Sequence, residues 1–379
     1  MGDQIMGLGA SRFADARAIQ QWAYSGADTN CRSIFSGVDV DARMNALRPW
    51  ISEIRKHWSE YDRFMDELAS AIEVQISEGG LSGETRYLVD QLLQCVKTWE
   101  PAEDAGSYSY SAVGFYTSKD GYDVVFSVFN EAFRRVGRDS LTALRPFVFL
   151  LELLNIDLYR LRESVAAADC FDGTVYRGLY LDRQHVSSLY ELMKGEVQSR
   201  YVSVPLGLWS ASSDVRVAID FALNRAPNGA QAVIWRVRVE NLDESLLAAY
   251  RQRFPQSVLT SLCAVPIDAI SVMPWEREVI LRGAFFQVIA VGEEQFPTLE
   301  GSAVVVDAVM WNSNRDHLTA IADDVGEDAL ARRWFRTIVS LDRARWCAEH
   351  VTDAQSRAAY ASWAGKLLGE WSELAGLSR

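Results

Sequence analysis

Trp275-Glu276-Arg277-Glu278-Val279-Ile280-Leu281 is the stretch from which the rest of the chain can be read. Two carboxylates separated by one residue open a run of aliphatic and β-branched side chains, which favours a strand. Side chains two apart on a strand share a face, about 6.6–7 Å from each other along it. Glu276 and Glu278 are therefore expected to line one site, with Arg277 pointing to the other side. Like charges on one strand face repel. The pair thus marks either a solvent-facing strand end or a site whose chemistry needs both carboxylates.

The segments around this stretch alternate in the same way. Thr174 to Tyr180, Tyr201 to Leu208, Ala232 to Val239, Glu278 to Leu281, Phe285 to Val291 and Ala303 to Val309 all read as strands, rich in Val, Ile and aromatics. Before them the period is helical. Ile51, Ile54, Trp58, Tyr61, Met65, Leu68 and Ile72 recur in steps of three and four, with Pro49 at the start and Gly79-Gly80 at the end. A second helix is expected over Glu84 to Trp99 and further ones over Tyr122 to Leu161. The segment Pro101 to Ser107 is small, acidic and turn-rich, and marks a boundary. After Asp324 the pattern returns to helix as far as Leu377, with Trp334, Trp346, Trp363 and Trp371 as packing residues. Helices, then strands, then helices predict an α+β fold, divided into a helical region at 1–100, a central domain at 101–300 and a mostly helical extension at 301–379.

Composition narrows the function. Of the 379 residues 49% are apolar and 23% charged, the balance of a soluble globular chain. A net charge of −13 argues against a nucleic-acid or anionic-membrane surface, either of which needs a basic patch. The five cysteines are scattered and the four histidines form no ligand-spaced cluster, so neither a disulfide scaffold nor a metal site is expected. No apolar run is long enough to span a bilayer, and the N-terminus lacks the pattern of a signal peptide. The expected location is the cytoplasm where the chain is made, with delivery into another cell equally compatible.

Two further motifs stand upstream of the glutamates. Tyr176-Arg177-Gly178 ends a strand, with a guanidinium suited to gripping phosphates and a glycine that permits close backbone approach to a ligand. Alone it reads as an exposed strand arginine. In Leu208-Trp209-Ser210-Ala211-Ser212-Ser213-Asp214, alternation puts Ser210 and Ser212 on one face. Alone this reads as a strand end capping the next helix, with Ser213 or Asp214 as N-cap and Val217, Ala218 and Phe221 buried. Arg177, Ser210 and Glu276 follow one another at spacings of 33 and 66 residues, each on or beside an expected strand.

In that order the three motifs resemble the arginine-serine-glutamate class of mono-ADP-ribosyltransferases, in its arginine-modifying branch. The likeness extends over about 105–295. Gly114-Phe115-Tyr116-Thr117 and Phe126 to Phe133, with Asn130 and Arg134, are similar to the family's helical lobe. Asp214 to Ala222 is similar to the helix after its serine motif, and Val279 to Val288 to its closing strand and turn. Where the family has S-T-S this chain has Ser210-Ala211-Ser212, and Leu208 stands where Phe is frequent.

The resemblance implies two packed β-sheets around an NAD cleft, preceded by a helical lobe. It implies NAD as substrate with no metal, and a target protein presenting an arginine as partner. Arg177 would hold the NAD phosphates, and Gly178, Ser210 and Ser212 would line the dinucleotide site. Ser210 would orient Glu278, which stabilises the cationic ribose. Glu276 would receive the incoming guanidinium and act as base, because an arginine with a pKa above about 12 is a poor nucleophile until deprotonated. Trp275 would meet the target protein, unless it merely packs beside the strand. An NAD glycohydrolase, a transferase for another residue type and a non-catalytic binding module of the same fold are the rival readings.

Overall fold

The computed structural model describes 171–223, 230–255, 257, 259–260, 263–296, 302–315 and 325–376, together with 111–118 and single helical positions within 69–94 and 154–161. Most of the helices expected before residue 162, the boundary at Pro101 to Ser107 and the Phe126 to Phe133 segment lie outside the described residues. One short helix there, α1 (Ser111–Thr117), packs with Phe115 and Tyr116 buried.

The sheet is built from β1 (Gly173–Leu181), β2 (Tyr201–Ser212), β3 (Gln231–Glu240), β5 (Ala264–Pro266), β6 (Glu278–Gln295) and β7 (Ser302–Trp311). A separate two-stranded ladder joins β4 (Leu259–Thr260) to β8 (Asn314–Arg315). Helices α2 (Arg183–Leu192), α3 (Val215–Leu223) and α4 (Glu244–Arg253) lie between strands, and α5 (Val325–His350) and α6 (Ala354–Leu374) follow them. The fold is mixed α+β, as the pattern predicts.

β6 decides the architecture. The sequence reading divides it at Gly283 into two strands with a turn, but it runs unbroken for 18 residues. Both halves find partners. Its first half pairs antiparallel with β2, Ser212 opposite Glu278 and Val204 opposite Ala284, and on its other edge with β5. Its second half pairs antiparallel with β7, Val291 opposite Val306. β7 runs parallel to β3, and β3 antiparallel to β1. β1 meets β2 again at Tyr176 and Ser212, so the ladder returns on itself. The two expected layers are thus two halves of one connected sheet, joined through β6.

Their facing sides form the main core. Val233, Trp235, Val237 and Val239 of β3 alternate inward, as do Val304, Val306, Ala308 and Met310 of β7. Trp209, Trp235 and Phe286 meet at its centre, with ring centroids 4.6 to 5.8 Å apart. The outer face of β7 is covered too, which explains its nearly continuous apolar run. There Val309 and Trp311 pack with Tyr250 of α4 and with α5 and α6, where Trp334 and Trp371 stack edge to face at 4.6 Å. Asp307 interrupts the run and is held by the Arg236 guanidinium, which also grips Glu294 at 2.7 Å across β3, β7 and β6. The boundary expected at residue 300 falls between β6 and β7, so the segment 301–379 supplies a central strand as well as the helices that cover it.

Candidate active site

Arg177 does not end its strand but sits in the middle of β1, opposite Trp235 of β3. It shares a face with Val175 and Leu179, which point into the core. Its guanidinium therefore enters at the mouth of the two sheet halves. It lies over the Trp209 ring, 5.0 Å from the centroid, and Nη1 donates to the Ser210 carbonyl at 2.6 Å. Two neighbours on β2 thus fix the orientation of a planar fork.

Gly178 faces the other way. A Cβ there would lie 1.6 Å from the Ala218 carbonyl oxygen and 2.9 Å from the Ala222 nitrogen. The close approach this glycine permits is that of the α3 backbone, where the sequence reading expected a ligand. The same contact explains α3. Its buried residues are Ala218 and Ala222, the only sizes that fit so near the strand, while Val217 and Phe221 are half-buried and line the cleft. Asp214 caps the helix as expected, accepting from Arg216 N at 2.9 Å. Bonds from the Arg216 side chain hold its carboxyl down at about 2.

Glu276 and Glu278 do converge, but not by strand alternation. Pro274–Glu276 is a single 3-10 turn, and Arg277 follows with φ 47° and ψ 48°. It is the one non-glycine residue with positive φ among the described residues, a conformation that costs roughly 1–3 kcal/mol and gathers at functional sites. β6 then begins at Glu278. A turn and one left-handed residue, which no periodicity announces, bring the two carboxylates to the same cleft. The loop before the turn is seated on α1, where Thr117 Oγ1 accepts from Val272 N at 3.1 Å. Trp275 projects from the turn and is 69% exposed, so it does not pack beside the strand.

The result is an open cleft lined among others by Tyr176, Arg177, Gly178, Ser210, Ser212, Phe221, Glu276 and Glu278. Of the candidate site residues, Arg177, Gly178, Ser210, Ser212, Glu276 and Glu278 border it, and Trp275 stands on the turn beside it. Glu278 is 5% exposed. Burial pushes its carboxyl up to about 7; the Glu276 charge adds to this, while the Ser210 and Tyr116 hydroxyls and the Arg177 charge oppose it. Its Oε1 is buried and receives no hydrogen bond. The site therefore holds an orienting cation, a hydroxyl aimed at a carboxylate, and a buried acceptor lacking a donor. Tyr116, 162 residues from Glu278 in sequence, reads from the sequence only as part of the helical-lobe motif Gly114-Phe115-Tyr116-Thr117, and its place beside Glu278 comes from the fold. Phe221 was read as core from its helical spacing.

Among the described residues no group of His, Cys, Asp and Glu is arranged to hold a metal ion, and no helix is long and apolar enough to cross a membrane. No family model matches the chain, and no curated protein does. Among solved structures it is similar to the ADP-ribosyltransferase Vis, a Vibrio splendidus toxin, in complex with agmatine, at 16% identity and a TM-score of 0.35 over 62% of this chain and 89% of that one. It is also similar to the type III effector XopAI from Xanthomonas axonopodis pv. citri, at 16% identity and a TM-score of 0.32 over 68% of this chain and 98% of that one. A third similar structure is Plx2a, an ADP-ribosyltransferase toxin from Paenibacillus larvae, at 10% identity and a TM-score of 0.31 over 67% and 96% of the two chains.

Proposed function

We propose that the protein is a mono-ADP-ribosyltransferase that cleaves NAD and transfers ADP-ribose to an arginine of a target protein. The observation that carries this reading is the meeting of Arg177, Ser210, Glu276 and Glu278 in one cleft, from β1, β2 and the turn entering β6. Their order and chemistry are those of the arginine-serine-glutamate class.

The reaction breaks the bond between ribose C1′ and the nicotinamide nitrogen. The electron pair leaves with nicotinamide, which becomes neutral, and positive charge develops on the ribose ring. Arg177 binds the phosphates through a fork already oriented by Trp209 and Ser210. The buried Oε1 of Glu278 takes the donor it lacks from the ribose 2′-hydroxyl, and its carboxylate faces the developing cation. Glu276 takes a proton from the acceptor guanidinium, whose freed nitrogen pair closes on C1′. Trp275, exposed beside Glu276, meets the surface of the target protein.

Two results are expected. Only the ionised form of Glu278 neutralises a cation, and its carboxyl titrates near 7. The kcat/KM for NAD cleavage therefore rises about tenfold per pH unit below that value and levels off above it. Stopped assays of nicotinamide release between about pH 5.5 and 8.5 measure this, and a flat profile contradicts it. Glu276→Gln keeps the charge on Glu278 and removes only the acceptor base. Transfer to a small guanidine compound falls by about 10²-fold or more, while release of nicotinamide in the absence of acceptor persists. Equal losses in both assays count against the division of roles. Cleavage by the wild type with no acceptor ever modified supports a glycohydrolase instead.

A further inference from the structure

Ser212 is the member of the serine motif for which the reaction has no use. It is 4% exposed, and its hydroxyl is engaged within the chain on both sides. It donates to the Glu276 carbonyl at 2.6 Å and accepts from Asp214 N at 2.9 Å. One residue further on, Ser213 N donates to the Arg277 carbonyl at 3.1 Å. Consecutive carbonyls, of Glu276 and Arg277, are thus gripped by consecutive residues at the end of β2. The grip falls where the chain has left the 3-10 turn, passes through left-handed Arg277 and has not yet joined the ladder, whose first pair is Ser212 with Glu278. Glu278 is fixed independently, by that ladder and by the bond from Ile267 N to its carbonyl at 3.0 Å.

We infer that Ser212 is a positioning residue for Glu276 and not a ligand of the dinucleotide: its hydroxyl clamps the Glu276 peptide to the entry of α3, and so sets the acceptor carboxylate against the cleavage carboxylate. The inference rests on the proposed role of Glu276 in accepting arginine. Buried hydroxyls hydrogen-bonded at both ends hold backbone rigidly, and a misplacement of about 1 Å costs up to 10²-fold in a positioned reaction. The serine motif then serves two carboxylates, Ser210 acting on Glu278 and Ser212 on the backbone of Glu276.

The test compares Ser212→Ala and Ser212→Thr with the wild type in the full chain. Three quantities are followed: nicotinamide release, ADP-ribose on a small guanidine acceptor, and hydrogen exchange in the peptide covering 270–279. In the alanine variant the ratio of transfer to cleavage falls about tenfold or more, the KM for NAD holds, and exchange at the turn quickens; threonine, which keeps the hydroxyl, restores all three. Unchanged exchange in the alanine variant overturns the clamp, as does a rise in the KM for NAD that accounts for the whole loss. Glu276→Gln, run in parallel, separates the two claims. If that variant transfers normally, the reading of Glu276 fails, while faster exchange in Ser212→Ala, reversed by threonine, still supports the clamp.

Discussion

Glu278→Gln is expected to lower nicotinamide release by about 10³-fold and, at the same time, to make the protein more stable above neutral pH. The first effect follows because a neutral amide stabilises a developing cation poorly and has given up one acceptor oxygen. The second follows from burial. An ordinary carboxyl of this type titrates at 4.5, whereas that of Glu278 is pushed up to about 7 in the folded chain. Below the lower value both folded and unfolded states are protonated and the residue costs nothing. Between the two the unfolded chain ionises first, so stability falls as pH rises. Above about 7 the penalty is complete, on the order of 3 kcal/mol. Glutamine carries no charge and escapes it. The gain is smaller by whatever its amide hydrogens lose if they find no acceptor. Urea midpoints at about pH 5 and pH 8 should therefore separate the variant from the wild type more widely at the higher value. Such an exchange of stability for activity is common where a charge is buried for chemistry. A variant that cleaves NAD at the wild-type rate removes Glu278 from the mechanism.

Gly178→Ala is expected to be the most destabilising methyl group that can be added to the described glycines. The new Cβ would meet backbone, the Ala218 carbonyl at 1.6 Å, and not the end of a flexible side chain. Either β1 or α3 must move, at a cost of about 3 kcal/mol or more. Since Arg177 is the preceding residue and Val217 and Phe221 lie on α3, the cleft deforms with them and cleavage falls beyond what the lost folded fraction explains. Gly365→Ala is the contrasting substitution. It lies inside α6, where an added Cβ meets nothing within 4 Å, and should stabilise the protein by about 0.5–1 kcal/mol. Thermal melts of the pair measure both, and a Gly178→Ala variant that melts with the wild type contradicts the packing described for α3.

The sequence carried the fold where local pattern and burial agree. Val and Ile alternation located β1, β3 and β7 to within a residue or two, because each has at least one face in a core. It breaks β6 around Gly283, between two apolar runs; there the ladder with β2 shifts register between Val204 and Leu208, and pairs with β2 on either side of that shift carry the strand through. The short strands β5 and β8 and the helix α4 carry too little periodicity to be recognised, whereas α2 has an amphipathic pattern, with Val186, Leu189 and Leu192 buried, that the sequence reading passes over. Arg177, Ser210 and Glu278, which border the candidate cleft, stand out only together, by their order and the resemblance it carries, since each motif alone reads as an ordinary strand feature. What they do in detail was less legible. The convergence of Glu276 with Glu278 was foreseen for the wrong reason, since a turn and a positive φ replaced the strand alternation. Gly178 reads in the sequence as room for a ligand, whereas the space its missing side chain leaves is filled by a helix backbone, while the residue itself borders the cleft. Tyr116 reaches Glu278 only through tertiary packing, which no window of sequence contains.

The central claim is that one cleft both breaks NAD and hands its ADP-ribose to a guanidinium. It is tested most directly by incubating the full chain with NAD and an arginine-containing peptide and weighing the peptide by mass spectrometry. The account predicts a peptide heavier by one ADP-ribose on its arginine, nicotinamide released in matching amount, and neither product with Glu278→Gln. An unmodified peptide with NAD intact, or modification that survives Glu278→Gln, would contradict it.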